Sequence, residues 1–325
     1  AQPSVNGADQ PAQREEATPV PEPATAKEAI QVIDLRKFPR LNETKVMDGS
    51  VTRLWYMSRA SVAGAAAYHR TELTGAGWKE LPKQADEPAS SEYADLLFAK
   101  DGFYLRLSIG ATGDEGIVSI HATNNGNVDA RRLPRFAEAQ EIPVDPTNAN
   151  YRTPADMATV VAFCRKELAA IGWQEYAGFE PDPTEVPHHK MLRFKKNAVR
   201  LDVSVSDLSA TPVAQSPNAK THFAYMLTGM LDYDLPVRAD ARNLKLDTYP
   251  WRVRFDSPAA VPEVVEFYRS AYPKLGWKEL EDESATGEES ASLVFGGPDD
   301  VHFMRYIGPG KDDPEKTVVA FAQVA

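Results

Sequence analysis

The sequence predicts an α+β fold of three tandem repeats, each one α-helix packed on an antiparallel β-sheet of five or six strands. Three observations carry this expectation. First, Gly77-Trp78, Gly172-Trp173 and Gly276-Trp277 recur at spacings of 95 and 104 residues. Aligned on these tryptophans, the flanks fall into register: Tyr68, Phe163 and Phe267, then Arg70, Arg165 and Arg269, then Phe98, Phe194 and Phe295. Second, the segment before each Trp has helical periodicity. Met157, Val160, Val161, Cys164, Leu168 and Ile171 form one stripe, as do Val261, Val264, Val265, Tyr268, Tyr272 and Leu275. Third, the period changes to two after each Trp, as in Trp277-Lys278-Glu279-Leu280, which is strand-like.

Each element has local support. Ser58, Thr153 and Ser257 are expected to cap the helices, with Pro154 and Pro258 in the first helical position. Asp156 completes a capping-box-like start in the second copy. The Gly before each Trp suits a left-handed C-terminal cap, and Pro273 is expected to kink or fray the third helix. Downstream of each Trp comes a polar loop and then a hairpin. In the first copy its strands are Leu96–Lys100 and Phe103–Ile109, joined by Asp101-Gly102. A further strand follows at Ile117–Ala122, and Val51–Met57 and Trp251–Phe255 precede their helices.

Residues 1–29 are rich in Pro, Ala, Glu and Gln and lack a periodic apolar face, so they read as a tail or linker. The three modules are then expected at 30–132, 133–234 and 235–325. Length and composition agree with this count: 325 residues, 42% apolar, make ample core for two or three domains. Net charge is −11, which argues against a nucleic-acid surface and against adhesion to anionic membranes. No apolar run has the length of a membrane helix. The one cysteine, Cys164, excludes an internal disulfide and a cysteine-cluster metal site.

The helix motif Val264-Val265-Glu266-Phe267-Tyr268-Arg269 through Gly276-Trp277, matched by Phe163-Cys164-Arg165-Lys166-Glu167-Leu168 through Gly172-Trp173, resembles a pattern in exported bacterial proteins and lipoproteins. The first copy, Tyr68-His69-Arg70-Thr71-Glu72-Leu73, diverges most. The resemblance implies repeated helix-plus-sheet modules and is not specific for a function. The resemblance implies a place outside the cytoplasm, periplasmic or secreted, and offers no catalytic residues. Ala1 in place of Met, ahead of a Pro-rich stretch, fits removal of a leader.

The candidate sites are few. His188 and His189 in a polar loop, with His222 in the same module, are weak metal candidates, since no HExxH or His-rich frame surrounds them. The repeated Arg reads as a flank residue that covers the core edge and pairs locally. The repeated Trp reads as core, and the shared position of His69, Cys164 and Tyr268 reads as a packing site. Tyr68, Phe163 and Phe267 fall off the helical stripe and are candidates for contact with another module. Trp55 and Trp251 stand at non-equivalent strand positions and are candidates for an interface. Gly308-Pro309-Gly310-Lys311 lacks Walker spacing, and Gly110-Ala111-Thr112-Gly113 leads to a strand rather than a dinucleotide-binding helix.

No acid, base and nucleophile set stands out, so no catalytic residue, cofactor or metal is expected, and an unrecognised hydrolase is the outlying reading. The leading expectation is a non-enzymatic extracytoplasmic binding or scaffold protein, an accessory subunit whose repeats contact a protein partner, with the tail as a further contact. The alternative is a small-ligand or metal binder using a cleft between modules.

Overall fold

The computed structural model describes residues 21–82, 92–114, 116–180, 186–210, 218–248, 251–297, 301–310 and 317–324. Over these described residues the chain is α+β, with three antiparallel sheets and four α-helices. Helix α1 (Ala26–Val32) precedes the first sheet. The first unit then runs β1 (Thr44–Gly49), β2 (Arg53–Arg59), α2 (Val62–Gly75), β3 (Lys79–Glu80), β4 (Tyr93–Lys100), β5 (Phe103–Ala111) and β6 (Ile117–Gly126). The second comprises β7 (Gln140–Asp145), β8 (Asn148–Thr153), α3 (Met157–Ala170), β9 (Gln174–Tyr176), β10 (His189–Lys196), β11 (Val199–Asp207) and β12 (Thr221–Met230). The third comprises β13 (Arg242–Thr248), β14 (Trp251–Ser257), α4 (Val261–Lys274), β15 (Lys278–Glu279), β16 (Ala285–Thr286), β17 (Ala291–Gly296), β18 (His302–Pro309) and β19 (Thr317–Val324).

The three sheets share one strand order: β1-β2-β6-β5-β4-β3, β7-β8-β12-β11-β10-β9 and β13-β14-β19-β18-β17-β15. The third differs from the expected five or six strands. Its acidic loop turns back at Gly287, so β16 pairs with β17 and makes a seventh. The helix count differs too, since α1 lies outside the one-helix-per-sheet scheme.

Each long helix lies on one sheet face, α2 on β4 and β5, α3 on β11 and β12, α4 on β17 and β18. Alternation along the strands decides that face. Leu105, Leu107 and Ile109 point inward on β5, as do Leu201, Val203 and Val205 on β11. Trp78, Trp173 and Trp277 are buried beneath the helix ends. Gly77, Gly172 and Gly276 take φ of 86°, 87° and 88°, the left-handed turn that swings each Trp under its helix.

The helix caps fall three residues later than expected. Ser61 and Asp156 accept the N-terminal amides of α2 and α3, and Ala260 opens α4 without a side-chain cap. Ser58 instead lies within β2, and Thr153 and Ser257 end β8 and β14. Thr153 and Ser257 each accept from the amide two residues on, and this short turn uses the hydroxyl before the helix begins. Pro154 and Pro258 therefore lie outside the helices, and Pro262 takes the early helical position of α4. Pro273 leaves α4 at the same 14 residues as α2 and α3.

The segment expected as a tail is packed from residue 22 onward. Ala24, Ala26 and Ala29 are buried. The backbone here is held by side chains from far along the chain: Ala24 N–H donates to Asn127 (2.7 Å), Ala26 N–H to Asp234 (2.8 Å), and Asn197 donates to Pro23 O (2.6 Å). Small side chains fit between the units without an apolar periodicity, so the composition of this stretch does not reveal its burial.

Candidate functional site

Where the second and third units meet, a cleft of about 420 Å³ opens. The two sheets join here edge to edge: Ala177, just past β9, pairs in parallel with Lys245 on β13 through two backbone hydrogen bonds of 2.9 Å. The linker 231–237 and the start of α1 close over the junction, and α4 forms the far wall. Helix α4 and its C-cap bring Phe267, Ala271, Lys274 and Leu275, and the linker adds Pro236 and Val237, so the apolar side chains are joined by one lysine. The opposite wall comes from the end of β10 and is cationic, with Lys195 and Lys196.

The two lysines differ. Lys196 donates to Ile171 O at 2.9 Å, capping α3 as Lys100 caps α2 through Ala76 O, and also meets Glu22 at 2.8 Å. Lys195 is only 4% exposed, and its ammonium forms no hydrogen bond or ion pair among the described residues. Burial pushes it down to about 8, against the pull of the Asp234 carboxylate. Asp234 is raised by its own burial and is already occupied by the Ala26 and Lys27 amides. The cleft lining thus carries Lys195, Lys196 and Lys274 against one carboxylate.

Sequence reasoning did not find Lys195. The signal was the departure from the first unit, which has Ala99 at the position before its helix-capping Lys100. The interface candidates distribute differently from expectation. Tyr68 donates to Arg40 O at 2.8 Å and Phe163 packs edge-on to Phe136 at 5.2 Å, so both bind the strand-free segment leading into their own unit. Phe267 lies under Arg238 and lines the cleft. Trp55 stays 37% exposed on β2, stacked on His121 at 5.2 Å and donating to Ser119 Oγ. Trp251 opens β14, and its side chain lies outside the described residues.

The histidines are placed apart in their bonding. His188 lies 3.7 Å from Asp207, His189 bonds Ser204 at 3.0 Å, and His222 bonds Asn150 at 3.1 Å. Among the described residues no three His, Cys, Asp or Glu side chains gather as metal ligands. The repeated arginines make one bond in all three units, to the Glu two residues after Trp: Arg70–Glu80, Arg165–Glu175 and Arg269–Glu279, at 2.8–2.9 Å. No described helix is long and apolar enough to cross a membrane. Comparison with protein-family models, with curated proteins and with solved structures finds no match.

Proposed function

We propose that the chain is three tandem copies of one α+β module acting as a non-enzymatic binding protein outside the cytoplasm, and that it takes a small ligand in the cleft between the second and third units. One observation carries this reading: a cleft of about 420 Å³ brings apolar side chains together with Lys195, whose side chain is largely buried and whose ammonium, without a protein partner among the described residues, opens to the cleft. Lys196 and Asp234 beside it are engaged in holding α3 and α1, which supports binding rather than chemistry. The shared strand order and the three Arg–Glu pairs support descent of the units from one module. The place outside the cytoplasm rests on the motif resemblance and the scarcity of cysteine.

The test is a thermal-shift panel on the full chain with divalent metals, sugars, inorganic anions and organic acids. A saturable rise in Tm with one class is expected, by mass action on the folded state. No rise across the panel overturns the reading. A second reading, contact with a protein partner, is favoured by Trp55, whose partly exposed ring shares a sheet face with His121 and the exposed Tyr93. It expects a stoichiometric partner in native purification that is lost on Trp55→Ala.

A further inference from the structure

The chemistry of the cleft narrows what it can hold, and the narrowing rests on the ligand reading above. Lys195 leaves the outer face of β10, between Gln174 on β9 and Arg200 on β11. Asp234, Leu235 and Pro236 line the cleft beside it, and the side chain is 4% exposed, with its nitrogen left open to the cleft. A buried ammonium is costly unless it is paired and hydrogen-bonded. Its one neighbouring carboxylate, Asp234, directs one oxygen to Ala26 N–H at 2.8 Å and the other towards Lys27 N–H at 3.5 Å. Neither oxygen is within hydrogen-bond range of Lys195. Its open side faces the cleft, from which an acceptor can reach it and where Lys274 adds further positive charge. Val237, Phe267 and Leu275 also line the cleft and supply apolar surface that buries hydrocarbon well.

We infer that this cleft binds a small organic acid, its carboxylate accepting from the Lys195 ammonium and its hydrocarbon body lying against Phe267, Val237 and Leu275. A carboxylate answers the unpaired donor with a charge-assisted bond. An apolar body of one short chain or one ring fits about 420 Å³. Inorganic anions satisfy only the cation, and neutral alcohols satisfy only the wall.

The experiment is calorimetric titration of the full chain with hexanoate and 4-phenylbutyrate, beside 4-phenylbutanol and inorganic phosphate. The acids are expected to bind at least about tenfold more tightly than the alcohol and than phosphate. Lys195→Met is expected to weaken the acids by about tenfold or more while leaving the alcohol unchanged, and Lys274→Gln to change the acids less than about threefold. Equal binding of alcohol and acid, or full retention in Lys195→Met, overturns the acid assignment and leaves the cleft as a ligand site. Phosphate binding alone overturns the hydrocarbon part. Failure of every probe overturns the acid assignment, and the broad panel above then decides the cleft reading separately. Should Lys195→Met not fold, the wild-type chain answers by pH. The charged groups around Lys195 are Asp234, Lys196 and Lys274 in the cleft and Arg200 opposite it on β11. Hexanoate affinity is expected to fall at least about fivefold between about pH 7 and about pH 9.5, as Lys195 loses its proton. An unchanged affinity overturns the assignment.

Discussion

Arg305 is the most anomalous residue in the molecule. It stands on β18 where strand alternation places a core side chain, and the matching residues of the other units are Leu107 and Val203. Its guanidinium is fully buried, 3.5 Å from the centroid of Phe321 and 4.8 Å from that of Tyr272. Aromatic faces attract it, yet Nε and Nη2 have no hydrogen-bond partner, nor does the Tyr272 hydroxyl. Burial pushes the guanidinium down to about 9, with Tyr268 opposing. Desolvating an ion without full pairing outweighs cation–π attraction of about 1–2 kcal/mol. Arg305→Leu, the first unit's choice, is therefore expected to stabilise the chain by about 1–4 kcal/mol in urea unfolding. A loss of stability would mean that the ring contacts outweigh the burial of charge.

At the scale of the element, the three long helices use one design with local substitutions. The Arg–Glu pair at the end of each is partly exposed, so each contributes about 0.2–1 kcal/mol and serves alignment more than stability. The core-facing position differs: His69 in α2, Cys164 in α3 and Tyr268 in α4, all buried. His69 Nε2 bonds the Tyr56 hydroxyl at 2.8 Å, its ring stacks on Phe38, and Nδ1 has no partner. Burial pushes it down to about 4. The neutral form is the folded form, so stability is complete above the unfolded value of about 6.5 and is lost as pH falls towards 4. The loss across that window is about 3 kcal/mol. His69→Cys, the second unit's residue, is expected to flatten this acid limb when unfolding free energy is followed from about pH 7 to about pH 4. An unchanged slope would assign the acid sensitivity elsewhere.

Across the whole molecule, the two junctions are built differently. The second and third units join by sheet edges, whereas the first and second interlock at the ends of β6 and β12. Asn125 donates there to Leu227 O, and Arg106 reaches Asp145 and Thr147. The linkers before the units carry Asp34, Asp129 and Asp232. The first two hold an arginine two residues on, but Asp232 accepts from Thr52 of the first unit at 2.7 Å. Gly126 ends β6 and Gly229 is the last residue but one of β12, at φ of 80° and 109°. A Cβ on Gly126 would stand 2.8 Å from Val199, and one on Gly229 2.9 Å from Thr123. Gly126→Ala combines the left-handed backbone with this overlap, and about 1–3 kcal/mol of destabilisation is expected in urea unfolding. A neutral result would mean that the junction yields to a methyl group.

The sequence by itself determined the repeated unit, a helix between strands in one order, but not α1 or β16. The Gly-Trp signature, the helical stripe and the Asp101-Gly102 turn each act within some twenty residues, where backbone geometry and periodicity are local properties. The same local logic misplaced the caps, because Thr153 and Ser257 have two short-range turns open to them and only the packed chain selects one. The tertiary structure alone decided the junctions and the cleft. Thr52 and Asp232 are 180 residues apart and Ala26 and Asp234 are 208 apart. No periodic pattern marks residues that meet across such distances, and Lys195 looks like any strand-end lysine until the linker and α1 close over it. Burial of that charge follows from the arrangement of the units, and the candidate site exists only where they meet.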